Sequence, residues 1–297
     1  MAPGAARLSV LLAALLFSTG GAAIKATSLG PWAVAGLRSG LAFLFLLAAL
    51  PEARRRWNLG TLALGVSYGA TMVLFVAGNK LTTAANTIFL QSTAPLYLLL
   101  AGPWLLGEPV RRRDLGFMAA LAAGMALFFA GEPPASASAP NPALGNWIAL
   151  ASGVTWAGTI GGLRWMEKHG ARGEAARALA AGNLLAFLAC LPMLHPLPEA
   201  TRVDWAVVAY LGVFQIGVAY LFFTRGLRGL PALEVSLLVL IEPVLNPLWA
   251  WLLQGERPGS WAVAGGATIL AATAWRALAN RSVRGAAEPP AEGGAAA

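Results

Sequence analysis

The sequence is poor in charged residues, and this scarcity excludes two classes of protein. Only 11% of its 297 residues are Asp, Glu, Lys or Arg, less than half of the quarter that is about usual in soluble domains. So few charges cannot cover a soluble globule of this size, which excludes a cytosolic enzyme. The apolar content of 58% also excludes a disordered chain.

Cysteine, histidine and aspartate are also scarce. Because Cys190 is the single cysteine, an internal disulfide is excluded. With only two histidines beside it, a Cys/His zinc site is excluded too, and we expect no metal and no cofactor. The two aspartates, Asp114 and Asp204, both fall at the ends of apolar runs, so no aspartyl pair lies at membrane depth. No phosphate-binding loop is present, which argues against ATP hydrolysis.

Long uncharged runs are what the sequence does contain. Residues 57–79 form a run of 23 and residues 81–107 a run of 27, while a helix of about 20 residues crosses the hydrocarbon core of a bilayer. We therefore predict an all-α membrane protein with ten transmembrane helices. Their expected ranges are 8–26, 31–50, 58–79, 83–106, 115–131, 146–166, 175–194, 204–224, 231–254 and 259–278.

The segment 132–145, rich in Pro, Ala and Ser, predicts a linker between a first unit, 1–131, and a second unit, 146–278. The composition of residues 279–297 predicts a disordered cytoplasmic tail. Arg7 and the apolar residues after it also resemble a secretory signal peptide. We interpret this segment as a retained helix instead, because the internal repeat requires it.

The basic residues favour one orientation in the membrane. If the N-terminus is cytoplasmic, 15 of the 21 Lys and Arg residues fall in cytoplasmic regions and four fall outside. A nucleic-acid-binding surface need not alternate loop by loop in this way, so the net charge of +8 does not predict nucleic-acid binding. We expect a multi-pass protein of a bacterial inner membrane, in contact with lipid, with both termini in the cytoplasm.

The two halves of the sequence repeat at two fixed offsets. The matched pairs are Lys25 with Arg164 and Arg38 with Arg177 at an offset of 139, and Pro95 with Pro243, Gly107 with Gly255 and Glu108 with Glu256 at an offset of 148. Five predicted helices per half is an odd number, so equivalent helices cross the membrane in opposite directions. Inverted repeats of this kind are typical of transporters, which bind their substrates between the halves.

The repeated residues also resemble those of a known family. The residues concerned are Phe17, Ser18, Thr19 and Gly20 leading to Lys25 and Arg38, Asn86 to Pro95 leading to Leu106, Gly107, Glu108 and Gly116, and, in the second half, Trp156, Glu242, Pro243, Gly255, Glu256 and Gly265. Each half resembles one EamA unit of the drug/metabolite transporter superfamily. The resemblance implies ten helices, cytoplasmic termini and transport of small metabolites such as amino acids.

We predict that Glu242 is a charged member of the substrate site. It lies in the middle of the ninth predicted helix, where a charge costs about 2.5–3.5 kcal/mol on insertion scales and must therefore face protein or water. The carboxyl group could titrate with a coupling proton or bind a substrate amine, or it could be a structural group before the helix-kinking Pro243. Asn246 lies one turn further along the same face.

Polar and aromatic residues on other predicted helices are candidates for a shared cavity. They are Ser18, Tyr68, Thr71, Thr87, Gln91, Trp156, Gln215 and Tyr220. For each of them alone, ordinary helix packing is the favoured interpretation, because small polar residues allow close approach and exchange hydrogen bonds. For several of them together, we favour a shared cavity. Four charged residues are expected to act as gates or as structural charges: Arg38, Arg177, Glu108 and Glu256.

These observations predict a secondary active transporter, not an enzyme, that moves small organic metabolites by alternating access. Export of amino acids or related compounds is the expected activity, and this choice of substrate comes from the family resemblance. The alternatives are a lipid-carrier or nucleotide-sugar translocator, or an intramembrane enzyme.

Overall fold

The structure is a computed structural model that describes residues 2–131, 134–169, 174–194, 199–227 and 229–285. Regular secondary structure in these residues is helical, apart from one isolated bridge between Ser136 and Ala139. The helices are α1 (Pro3–Ser18), α2 (Gly20–Ala26), α3 (Pro31–Ala49), α4 (Leu59–Leu81), α5 (Ala84–Gln91), α6 (Ala94–Leu105), α7 (Arg112–Ala130), α8 (Pro142–Lys168), α9 (Glu174–Cys190), α10 (Arg202–Ala209), α11 (Ala219–Leu227), α12 (Ala232–Val239), α13 (Ile241–Gln254) and α14 (Ser260–Gly285). A π-helical segment, Tyr210–Val218, joins α10 to α11.

Eight helical units in the described residues are long and apolar enough to cross a membrane. They are Pro3–Ala26, Pro31–Ala49, Leu59–Leu81, Ala84–Leu105, Glu174–Leu194, Arg202–Leu227, Glu234–Gln254 and Ser260–Ala279. The chain is therefore a multi-pass, all-helical membrane protein, but the prediction of ten spans is confirmed for eight only.

The two other predicted spans correspond to α7 and α8. The apolar part of α7, Asp114–Ala130, is shorter than the eight units. Helix α8 has 27 residues, but glycines and polar residues such as Asn146, Ser152 and Thr155 lower its hydropathy. These polar side chains make contacts inside the protein, as described below.

The predicted linker and the predicted tail are each described only in part, and the start of the tail differs from expectation. Residues 132–133 of the linker and 286–297 of the tail are outside the described residues. The last helix continues to Gly285, seven residues into the segment for which we expected disorder. The backbone N–H of Asn141, in the linker, donates to the carbonyl of Leu81 at 3.1 Å, so this end of the linker packs on α4.

Three of the helical units are interrupted within their length. The breaks lie at Thr19, between α1 and α2, at Ser92 and Thr93, between α5 and α6, and at Leu240, between α12 and α13. The second and third breaks are 148 residues apart, the same offset that relates the halves in sequence. The repeat is therefore expressed in backbone geometry as well as in residue type.

The halves pack closely through small residues. A Cβ atom on Gly69 of α4 would lie 2.7 Å from the carbonyl oxygen of Gly182 of α9, so a larger residue would force these helices apart. The first unit likewise packs on the last part of the chain, where Gly226 of α11 meets Val10 of α1. Contacts between the halves thus extend through the interior of the protein.

The helix ends form two opposite faces of the bundle. We name the face where α2, α4 and α13 end the Lys25 face, and the face where α6 and α8 end the Arg164 face.

Candidate functional site

An aromatic cluster joins the two halves in the interior. It consists of Phe17, Tyr68, Trp156, Tyr220 and Phe223. The ring of Tyr220 lies 5.0 Å from that of Phe17 and 6.0 Å from that of Tyr68, both edge to face. Tyr68 also faces Trp156 at 6.5 Å. Three of the predicted cavity residues, Tyr68, Trp156 and Tyr220, are therefore neighbours in the structure.

The break between α1 and α2 is surrounded by polar side chains from the second half. The indole N–H of Trp249 donates to Ser18 Oγ at 3.0 Å, and the hydroxyls of Thr19 and Tyr210 lie 2.8 Å apart. Gln215 Nε2 donates to the carbonyl of Phe17 at 3.4 Å. Ser18 and Gln215 were predicted from the sequence as cavity residues, whereas Tyr210 was missed.

Asn246 lies against the same break. It is fully buried, and neither atom of its amide has a hydrogen-bond partner in the described part of the chain. A Cβ atom on Gly21 would come within 2.4 Å of Asn246 Oδ1, so glycine is what allows the amide to approach the α2 backbone. An unpartnered buried amide costs free energy unless a ligand or water satisfies it.

A second polar seam joins α4 and α5 to α8. The hydroxyl of Thr71 donates to Thr155 Oγ1 at 2.8 Å, and Gln91 Nε2 donates to Ser152 Oγ at 2.7 Å. Both bonds cross between the halves. Thr87, in contrast, donates to the carbonyl of Thr83 in its own helix at 3.0 Å and makes no such cross-link through that hydroxyl.

Glu242 lies in the first turn of α13, directly after the break at Leu240. Its side chain is partly buried and acts electrostatically on Tyr220 of the aromatic cluster. Glu242 therefore lies at the α13 break, within electrostatic range of Tyr220.

The Lys25 face is closed by a buried ion pair between the halves. Lys25 Nζ lies 3.1 Å from Glu256 Oε2, and both side chains are about 5% exposed or less. Lys25 also donates to the carbonyls of Thr82 and Ser138, and the backbone N–H of Ala84 donates to Glu256 Oε1 at 2.7 Å. Burial raises the pKa of the Glu256 carboxyl although Lys25 and this N–H stabilise its charge.

The Arg164 face carries the repeat-related ion pair in an exposed setting. Arg164 Nη2 lies 2.9 Å from Glu108 Oε1, but the two side chains are 51% and 55% exposed. Nearby, Lys168 Nζ donates to the carbonyl of Leu106 at 2.8 Å. The pairing of Lys25 with Glu256 was missed in the sequence, although the matched charges and the predicted inverted repeat carried the signal.

The two repeat-related arginines, Arg38 and Arg177, also differ in their partners. Arg177 pairs with Glu174 of its own helix, near the Arg164 face. Arg38 is 1% exposed and donates through Nη2 to the carbonyl of Met72 at 3.0 Å, without a carboxylate partner among the described ion pairs.

Two cavities open to the faces of the bundle. One, of about 190 Å³, lies on the Arg164 face between the end of α3 and α11 and is lined by Ala49, Leu50, Glu52, Leu221, Thr224 and Arg225. Leu50 also packs against the buried core that contains Tyr68 and Tyr220. The other, of about 280 Å³, lies on the Lys25 face and includes Lys25, Asn79 and Lys80 in its lining.

A metal site is not formed by the described residues, in which no three His, Cys, Asp or Glu side chains form a suitable group. The carboxylate of Asp204 instead accepts hydrogen bonds from Thr27, Ser28 and Thr201 and holds the start of α10. Asp114 forms an ion pair with Arg276 at 2.8 Å. Both aspartates thus have structural partners at the ends of helices.

Comparison with known proteins adds a family and a fold. The sequence profile of the EamA-like transporter family matches residues 5–130 and again residues 143–276. A solved structure, described only as the crystal structure of a protein, has a TM-score of 0.62 and 20% sequence identity, covering 94% of this chain and 99% of that chain. At this identity the likeness shows the fold alone. None of the curated proteins matches the chain.

Proposed function

The chain belongs to the EamA-like transporter family, and from this we propose that it is a secondary active transporter that exports amino acids or related small metabolites by alternating access. The two matched segments confirm the resemblance of each half to one EamA unit. We further propose that the first unit, 1–131, and the second, 146–278, move relative to each other around a site near the middle of the membrane.

The observation that carries alternating access is the unequal burial of the two repeat-related ion pairs. Lys25 and Glu256 are almost completely buried, whereas Arg164 and Glu108 are each about half exposed. If the halves exchange conformations during transport, the pair that is buried on one face should become exposed as the other becomes buried. In the present conformation the Lys25 face is closed at its ion pair, although a cavity of about 280 Å³ opens on the same face.

The distribution of basic residues supports an orientation with the Arg164 face toward the cytoplasm of a bacterial inner membrane. The structure then corresponds to an inward-facing conformation, and the cavity at Leu50 is its cytoplasmic entrance. Both termini would also be cytoplasmic, and the linker beside Lys25 would lie outside.

The proposed substrate site is the aromatic cluster with the polar residues around the α1–α2 break. Its unpartnered Asn246 amide offers a donor and an acceptor, and the aromatic rings provide an apolar wall. Glu242, beside Tyr220, is the proposed group for a substrate amine or a coupling proton.

Transport by purified protein in proteoliposomes tests this function. Labelled amino acids should accumulate against their gradient when a pH gradient is imposed, and unlabelled substrate on the opposite side should accelerate exchange. Glu242→Gln should abolish the dependence on the pH gradient. Glu234→Gln is the matched control, since Glu234 pairs with Arg7 at the Arg164 face, away from the cluster.

The outcomes separate the alternatives. Chemical conversion of a labelled compound without its movement would favour an intramembrane enzyme. Movement of lipid-linked sugars or nucleotide sugars, but not of amino acids, would favour the translocator alternative. Transport by Glu242→Gln that matches the unmodified protein at every pH would show that Glu242 is structural.

A further inference from the structure

We propose that Arg38 binds the carboxylate of the transported solute, and this inference rests on the transport function proposed above. The starting observation is a buried guanidinium group. Arg38 is 1% exposed and lies eight residues into α3, about 11 Å from the start of that helix at 1.5 Å per residue. A charge at this depth needs a partner inside the protein.

The described part of the protein satisfies the guanidinium group of Arg38 only in part. Arg38 Nη2 donates to the carbonyl of Met72, but Nε has no hydrogen-bond partner in the described part of the chain. The acidic side chains that act on Arg38 electrostatically are Tyr68, Cys190 and Tyr220, and such groups are uncharged near neutral pH. The positive charge is therefore uncompensated in this conformation.

The repeat shows how the same charge is neutralised elsewhere. Arg177, the mate of Arg38, forms an ion pair with Glu174, three residues before it. The residue that corresponds to Glu174 in the first half is Ala35, which is fully buried. The first half thus keeps the arginine but has a methyl group where the second half has the carboxylate that pairs with it.

Arg38 shares one side of α3 with a residue that lines the cavity at the Arg164 face. Leu50 lines the cavity at the Arg164 face, and Leu46 and Ala42 pack in the core of the aromatic cluster. Arg38 is one further turn along, because these residues are spaced by four. The guanidinium group therefore lies on the side of α3 that packs in this core.

The charge balance favours a carboxylate over a phosphate ester. Arg38 provides one positive charge, which a carboxylate neutralises with two parallel hydrogen bonds. A phosphate monoester carries up to two negative charges near neutral pH and would leave one of them buried without a partner. Glu242 lies within electrostatic reach of Tyr220 and could hold the ammonium group of an amino acid whose carboxylate is at Arg38.

Matched solutes test the proposal on the unmodified protein. Binding is measured as thermal stabilisation of purified protein by leucine and phenylalanine, by their amides, in which the carboxylate is replaced, and by phosphoserine. We expect each amino acid to bind at least about tenfold more tightly than its amide and phosphoserine to bind more weakly than serine. Equal binding of acid and amide would overturn the proposal, and tighter binding of phosphoserine would overturn the choice of a carboxylate.

Variants then test whether Arg38 causes the preference for amino acids over their amides. Arg38→Gln should lose about tenfold or more in affinity for the amino acids but not for the amides, while Arg38→Lys should retain part of the preference. Arg177→Gln, the repeat-related control, should keep the full preference. Retention of the preference by a folded Arg38→Gln would overturn the assignment. Should that variant fail to fold, an unchanged preference in Arg38→Lys would overturn it instead.

A transport assay with the same solutes distinguishes this proposal from the function on which it rests. Binding with the expected preference but without movement across proteoliposomes would refute transport and retain Arg38 as a carboxylate-binding residue. Movement of amino acids that Arg38→Gln leaves unchanged would retain transport and refute the role of Arg38.

Discussion

Each of the two repeat-related ion pairs joins a basic residue to a glutamate at a similar separation, but their surroundings are opposite. Lys25 and Glu256 lie 3.1 Å apart and are buried, and Arg164 and Glu108 lie 2.9 Å apart and are exposed. Distance alone would class them as equivalent. Burial distinguishes them, because a charge pair gains and loses far more free energy when water is excluded than when it is screened at the surface.

The backbone before each glutamate is the same on both faces. Gly107 and Gly255 both have positive φ angles, 65° and 68°, and each directly precedes its glutamate. The difference in burial therefore does not come from the local turn. It comes from the packing of the other half, which at Glu256 brings Lys25 and the start of α5 into contact.

The largest expected effect is the loss of one partner from the buried pair. Lys25→Ala leaves Glu256 buried without its cation, and we expect a loss of about 3–5 kcal/mol in the free energy of unfolding. Arg164→Ala, the matched control, should cost at most about 1 kcal/mol. Thermal unfolding in detergent measures both variants. Equal shifts in Tm would show that the two pairs are energetically alike and that burial is not the deciding difference.

We expect a loss of stability of intermediate size when the glycine turns are substituted, and this loss should be similar on the two faces. A side chain at positive φ costs about 1–2 kcal/mol, while no other atom lies near a Cβ at either position. Gly107→Ala and Gly255→Ala should therefore reduce stability by similar amounts, measured by Tm in the same detergent. Gly30→Ala, at a position of ordinary φ and open space, should leave Tm nearly unchanged. A much larger loss for Gly255→Ala alone would show that the turn also carries the buried pair.

The smallest expected effect is a change in stability with pH. Because burial raises the pKa of Glu256, the folded protein holds this proton more tightly than the unfolded chain does. The contribution of Glu256 to stability is then fully present below the ordinary glutamate pKa of about 4.3 and declines as pH rises through the raised pKa. Tm profiles should show this decline in the unmodified protein and a weaker one in Glu256→Gln. Identical profiles for the two proteins would contradict the prediction.

Much of the fold could be predicted from the sequence because helix-length apolar runs have few alternatives in a bilayer. The repeat offset also holds in the backbone, since the break at Leu240 and the start of α12 follow those of the first half by 148 residues. Composition does not decide whether α7 and α8 cross the membrane. The apolar stretch of α7 is short, and α8 contains polar residues. Polar groups in α8 serve contacts with α4 and α5.

The candidate site was predictable in part. Tyr68, Trp156 and Tyr220 were found as separate residues, and their spacing could not show that their rings meet across the two halves. Thr87 has the same polar character as Thr71 but bonds within its own helix. Helical periodicity specifies which residues share a face, whereas the partner of that face depends on how the helices pack.

The sequence by itself determined a helical membrane protein with two related halves, because hydropathy and repeated motifs are properties of the chain. Only the tertiary structure decided which charges are compensated. Lys25 and Glu256 are 231 positions apart, and Arg38 differs from Arg177 through Ala35 and Glu174. Electrostatic free energy depends on distance and on exclusion of water, and both arise only when the two halves pack together.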